Sequence, residues 1–201
     1  MTDILQIPAT ILHTMSLQTL ASTCLDYPLL PDIFAADNYQ NGMLTIIKDF
    51  NGFQELFKQT NAHSVLCQRY LEKDPSILKQ EWNSIQKGKF AASFIFLELT
   101  LAQDDIVSCI SPDIHQKLIK KLLQNIELNN LFGIPSIKSS AFLMGRILIR
   151  SGSPDIQSKL NQNENIRHFI ETSSLADENI IDEIIGIALK YVDNNKKGNE
   201  K

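Results

Sequence analysis

Histidine, cysteine and paired carboxylates are the residues of this chain able to do chemistry, and their spacing decides whether they do. His63 and Cys67 stand four positions apart, so on a helix they share a face and could offer one nitrogen and one sulfur to zinc. A tetrahedral site needs more, and no second Cys or His pair occurs at metal spacing; His13, His115 and His168 stand alone. Asp104 and Asp105, in "DDIVS" at 104–108, present adjacent carboxylates to a hard cation, but the position one helical turn further on is Ser108. The pair reads instead as the end of one helix and the start of the next. Cys24, Cys67 and Cys109 recur at 43 and 42 residues, yet out of phase with the prolines that follow them, and they read as core thiols. There is no G-x-S-x-G, no phosphate-cradling glycine loop, no H-E-x-x-H and no E-x-x-H pair. The expectation is a protein that is not an enzyme, with no catalytic residue, no metal and no cofactor.

Elements must hold whatever binding residues exist, and the totals bound those elements. With 201 residues, 43% of them apolar and 21% charged, the chain can build one sizeable core. A net charge of −4 is too mild to select nucleic acid or an anionic membrane as partner. Three cysteines do not describe a disulfide framework and point to a reducing compartment. The opening "MTDILQIPATILHTM" carries Asp3 and no basic residue, the wrong pattern for a secretory leader. The most apolar run, Phe90 to Ala102, contains Glu98 and falls short of the roughly 20 residues a bilayer requires. A soluble, cytoplasmic protein is expected.

Nearly every periodic stretch repeats at 3.6 residues, which predicts an all-α fold. Helices are expected over 8–26, with Pro8 in its first turn, over 61–73 after an Asn61 cap, and over 75–87 with Leu78, Trp82 and Ile85 on one face. Further helices are expected over 88–103, over 111–128 after a Ser111 cap, over 135–151 from Pro135 to Gly152, and over 174–192 with Ser174 and Asp177 at capping-box spacing. The "NG" pairs at 41–42 and 51–52 lack the alternating flanks of a hairpin. Helix 88–103 is apolar nearly all round and should form the centre. Residues 1–192 read as one domain and 193–201 as a disordered polar tail.

"SPDI" occurs at 111–114 and again at 153–156, with looser echoes "LPDI" at 30–33 and "DPSI" at 74–77. Pro31, Pro75, Pro112 and Pro154 are thus spaced by 44, 37 and 42 residues, near the length of one unit of a helical solenoid. With "SIKSSAFLMGRILIRSGSPDIQSKLNQNENIRHFI" at 136–170 reading like a third helix running into the next unit, the chain resembles the armadillo/HEAT-like superfamily. The resemblance implies a superhelix acting as a protein-interaction module or adaptor, its groove lined by the third helix of each unit. On helix 135–151, Lys138, Phe142, Arg146, Ile149 and Arg150 share one side with Ser139, at about 100° per residue. They are the candidate partner-binding residues, the arginines pairing carboxylates of an acidic or mixed peptide and Phe142 adding apolar contact. Ile137, Ala141, Met144, Ile147 and Leu148 form the expected core arc.

No Lys or Arg precedes Lys48, and four Asp are the only fixed charges in residues 1–47. Helix 8–26 is therefore expected to be covered by the domain, by a second copy in a homodimer, or by a partner. The alternative architecture is an irregular single all-α domain. The alternative function is a small all-α enzyme or ligand-binding protein with an apolar pocket under helix 88–103.

Overall fold

Ser16 divides the first expected helix. Its Oγ accepts the Thr19 N–H at 3.2 Å, so 8–26 becomes one turn, α1 (Ala9–Leu12), and a separate α2 (Leu17–Leu25). A hydroxyl at this position answers one of the N–H groups that a helix start leaves unpaired. A computed structural model describes residues 5–132, 137–174 and 177–198 of the chain. The order continues with α3 (Tyr39–Asp49), α4 (Asn51–Lys58), α5 (Ala62–Glu72), α6 (Ser84–Leu101), α7 (Asp104–Val107), α8 (Pro112–Phe132), α9 (Ile137–Arg150), α10 (Pro154–Gln162), α11 (Glu164–Thr172) and α12 (Glu178–Gly198). Short 3-10 turns lie at Leu30–Ala35 and Pro75–Ile77. The described residues are all helix and loop, without a strand, and none of their helices is long and apolar enough to cross a membrane.

Local hydrogen bonds explain where the elements depart from expectation. The helix expected over 75–87 does not form. Asn83 and Gln86 close a capping box at 2.9 Å in each direction, so α6 starts at Ser84 and leaves Ile85 exposed, while Leu78 and Trp82 pack on Phe90 and Ala91. Asn61 caps α5 through its carbonyl and not its side chain. The Ser111 hydroxyl donates to Asp113 at 2.6 Å. At α12 it is Asp177, and not Ser174, whose side chain accepts an amide, from Asn179 at 3.2 Å. The same helix runs on through Gly198, so residues 193–198 are helical where a disordered tail was expected. Pro135 lies outside the described residues; Gly152, at φ +70°, ends α9 as expected.

Packing gathers around two helices. Helix α6 is buried continuously from Phe94 to Leu101. Helix α9 is buried from Ser139 to Gly145 and again at Ile147 and Leu148, enclosed by α6, α7, α8, α10, α11 and α12. Helix α11 also meets α3, far away in sequence. The repeated tetrapeptide has a local meaning: Pro112 and Pro154 open α8 and α10, whereas Pro31 and Pro75 open only 3-10 turns.

Both "NG" pairs sit at helix starts. Asn51 accepts the Ile7 N–H at 3.0 Å and donates to the Ile7 carbonyl at 2.8 Å, pinning the N-terminal segment. Gly42 lets α3 press against the Leu30–Ala35 turn, where an added Cβ would lie 2.5 Å from the Ile33 carbonyl oxygen. Helix propensity alone favours alanine over glycine; the clash opposes it. Gly42→Ala should therefore lower unfolding stability by about 2 kcal/mol. Gly88→Ala, at an exposed α6 site with nothing within 4 Å, should raise it by roughly 0.5–1 kcal/mol. Urea titration of the two variants decides, and a stabilised Gly42→Ala contradicts the close approach.

Candidate functional site

The five residues singled out on α9 share one side of that helix, and the structure turns that side mostly inward. Phe142 is fully buried with its ring 6.4 Å from that of Phe169. Ile149 is half-buried against the core. Lys138 holds its Nζ 4.3 Å from the Tyr39 ring centroid, and burial lowers its pKa. Arg146 and Arg150 both donate to one Asp104 oxygen, each at 2.9 Å. Arg146 also lies over the Phe142 ring, centroid distance 5.2 Å, with its side chain only 14% exposed. Burial pushes the Asp104 carboxyl up, but the hydrogen bond from Arg150 and the charges of both arginines outweigh it and hold it below the usual carboxylate range. The carboxylate these arginines pair is thus one of the chain's own, from the "DDIVS" segment. On the core arc, Ala141, Met144, Ile147 and Leu148 are buried and Ile137 is half-buried.

Of the three cysteines read as core thiols, Cys24 and Cys67 are buried, but Cys109 is exposed. Burial pushes the Cys67 and Cys24 thiols up to about 12. His63 reaches the neighbouring Ser64 hydroxyl at 3.2 Å. No group of three His, Cys, Asp or Glu is placed to hold a metal among the described residues.

Sequence reasoning missed the polar centre of the molecule. Glu98 is 1% exposed on α6, and three hydroxyls converge on it. Tyr70 of α5 and Ser140 of α9 donate to Oε1 at 2.6 and 2.9 Å, and Ser139 donates to Oε2. Asn125 of α8 donates in turn to the Tyr70 oxygen at 2.8 Å. Among the described residues no ion pair to Glu98 occurs. Desolvation therefore dominates and pushes the Glu98 carboxyl up to about 7, the bonds from Ser139, Tyr70 and Ser140 only tempering it. The phenol of Tyr70 is raised too, by burial and then by the nearby Glu98 charge. A lone Glu in an apolar helix was the visible signal; its partners on other helices left none.

Beside this centre runs an open groove. Its wall is the outer face of α2, with Gln18, Thr19, Ser22, Thr23 and Asp26, and Arg69 of α5 stands across from it, enclosing about 640 Å³. A second groove of about 340 Å³ shares Ser22, Asp26 and Arg69 and continues past Lys73 to Ser93 of α6. The apolar side of α2, Leu20, Ala21 and Cys24, is buried within the same chain against α4, α5 and α6. Neither groove is lined by Glu98. No protein family model, curated protein or solved structure matches the chain. The all-α fold and the groove geometry therefore carry the functional reading.

The buried carboxyl makes stability depend on pH with a definite sign. Its folded pKa of about 7 exceeds the ordinary 4.5, so the folded state holds the proton more tightly. The stability this contributes is complete below pH 4.5 and is lost as pH rises through 7, roughly 3 kcal/mol in all. His115, whose pKa burial lowers, slopes the opposite way, so the difference between wild type and Glu98→Gln isolates the carboxyl. That difference should shrink, or reverse toward the variant, between pH 5 and 8. A pH-independent difference in denaturation midpoints rejects the assignment.

Proposed function

We propose that the chain is a non-enzymatic interaction module that binds an extended segment of a partner protein in the groove along α2. One observation carries this: the whole outer face of α2 is uncharged down to Asp26 and rich in hydroxyls, and it forms one wall of an open groove of about 640 Å³. Thr, Ser and Gln side chains can exchange hydrogen bonds with a peptide main chain at small desolvation cost, and Leu5, Ile7, Tyr27, Pro28 and Phe50 line the rest of the groove, which together suit a ligand that presents backbone along α2 and apolar side chains opposite it. The armadillo/HEAT-like form of the reading placed the groove on α9. Against that form stand the burial of Phe142 and the enclosure of α9 by six helices; in favour of an irregular all-α domain stands the contact of α11 with α3. The adaptor reading thus rests on α2 and no longer on repetition. A second copy is not needed to cover α2, since its apolar side is covered within the chain. The cytoplasm is proposed as the setting, supported by three free cysteines.

Thr23→Trp fills the groove from its half-buried wall without touching the core. In fluorescence anisotropy against a library of unstructured peptides, the variant should lose about tenfold or more in affinity for whatever peptides the wild type binds. Its melting temperature should stay within a degree or two of wild type, as for surface substitutions generally. Undiminished binding by the folded variant, or no binding by wild type to any peptide class, sinks the proposal.

A further inference from the structure

Arg69 stands at the seam of the two grooves and lines both. Its Nη2 donates to the Gln18 carbonyl and to the Ser22 hydroxyl, each at 2.7 Å, and both acceptors are neutral. No carboxylate comes within ion-pair distance of it among the described residues. The side chain is half-buried, so part of its hydration has been removed without a counter-charge to replace it, and its Nε and Nη1 donors remain for another acceptor.

The other charges around the seam are answered. Lys73 lies over the Phe94 ring at 4.7 Å, and burial lowers its pKa while the Asp26 charge works the other way. Glu72 accepts from Gln68 at 2.8 Å. The α2 wall contributes no cation, since no Lys or Arg precedes Lys48. One positive charge therefore faces the main groove, at one fixed point, with the Asp26 carboxylate as the other charge on its lining.

We infer that the segment bound along α2 carries a single carboxylate that seats on Arg69, with uncharged residues flanking it. This deepens the reading of the groove as a peptide site and rests on it. Arg69 fixes the register of the segment by a charge-assisted hydrogen bond, and Asp26 repels a second acidic residue placed beside the first. The overall charge of −4 opposes any acidic ligand, so a preference for a carboxylate here must be local.

The full chain is titrated with labelled Gly/Ser/Thr peptides that carry one central Glu, with the Gln counterpart, and with both sequences amidated at the C terminus. The Glu peptide should bind about tenfold more tightly than the Gln peptide at low salt. The preference should fall as salt screens the contact and should vanish in Arg69→Ala. A Glu preference that persists in the amidated peptides places the side-chain carboxylate on Arg69 and supports the inference; binding by the unamidated peptides alone, Glu and Gln alike, places a chain terminus there and overturns it. Equal binding of Glu and Gln peptides overturns it, and so does a Glu preference that survives in Arg69→Ala. Tighter binding of a phosphoserine peptide than of the Glu peptide replaces the carboxylate by phosphate and overturns it as well. Arg69 also ties α5 to α2, so the salt dependence is measured on wild type alone, where a salt-insensitive preference is equally fatal. Loss of all binding in Thr23→Trp together with equal binding of Glu and Gln peptides would leave the groove standing and remove only the Arg69 anchor. Absence of any peptide binding by wild type removes both.

Discussion

A carboxyl group placed at the centre of a helical protein imposes a demand that apolar packing does not. Leucines and phenylalanines tolerate small rotations of one helix on another, because contact area changes gradually. Glu98 does not: taken out of water, it must find donors or the fold loses several kcal/mol. Those donors come from Tyr70 on α5 and from Ser139 and Ser140 on α9, with Asn125 on α8 steering the phenol. Four helices are thereby fixed in rotation about their own axes. The arrangement is a specificity device as much as a stabilising one, since a partly satisfied cluster would be worse than none.

That rotation is also what presents the groove. Tyr70 and Arg69 are neighbours on α5, so pointing the phenol at Glu98 turns the preceding side chain about 100° away, toward α2. Leu97 precedes Glu98 on α6 in the same manner and lines the second groove. The polar centre and the groove are two faces of one helix pair. The N-terminal segment completes the far wall, held by the side chain of Asn51 on the main chain of Ile7 and by Gln6 on that of Asp49.

Helix content was legible in the sequence because a 3.6-residue apolar period is a property of short windows, and α5, α6, α8 and α9 fall where that period places them. Local polar competition was harder to read. Ser16 and Asn83 could each have stayed inside a helix, yet both turned their side chains to the backbone and broke one. The α9 face was legible as a stripe but not as to its direction. Arg146 and Arg150 looked like a surface pair because their partner, Asp104, lies 42 and 46 residues away in a separate helix. Phe142 looked available for the same reason, its cover being Phe169. The prolines whose spacing suggested repeated units each stand at a helix start, two of them α-helical and two 3-10. Arg69 gave no signal at all, because what distinguishes it is the set of side chains that fail to reach it.

The charges of this chain divide by how much water they keep. Arg167 also donates to a neutral oxygen, the Leu160 carbonyl at 2.7 Å, but it is exposed and water answers its charge. Lys58 and Lys159 meet Glu55 and Glu183 at 3.8 and 2.8 Å near the surface, where such pairs contribute little. Arg146, nearly buried, is matched by a carboxylate and a ring. Arg69, half-buried, has given up part of its water and has been given neutral oxygens as an exposed cation is. A folded chain retains such a mismatch only at a cost in stability, and an arriving carboxylate would repay it. The same physics that forces hydroxyls, Tyr70 among them, around Glu98 thus leaves an opening at the residue before Tyr70 on α5, which the proposed carboxylate would fill.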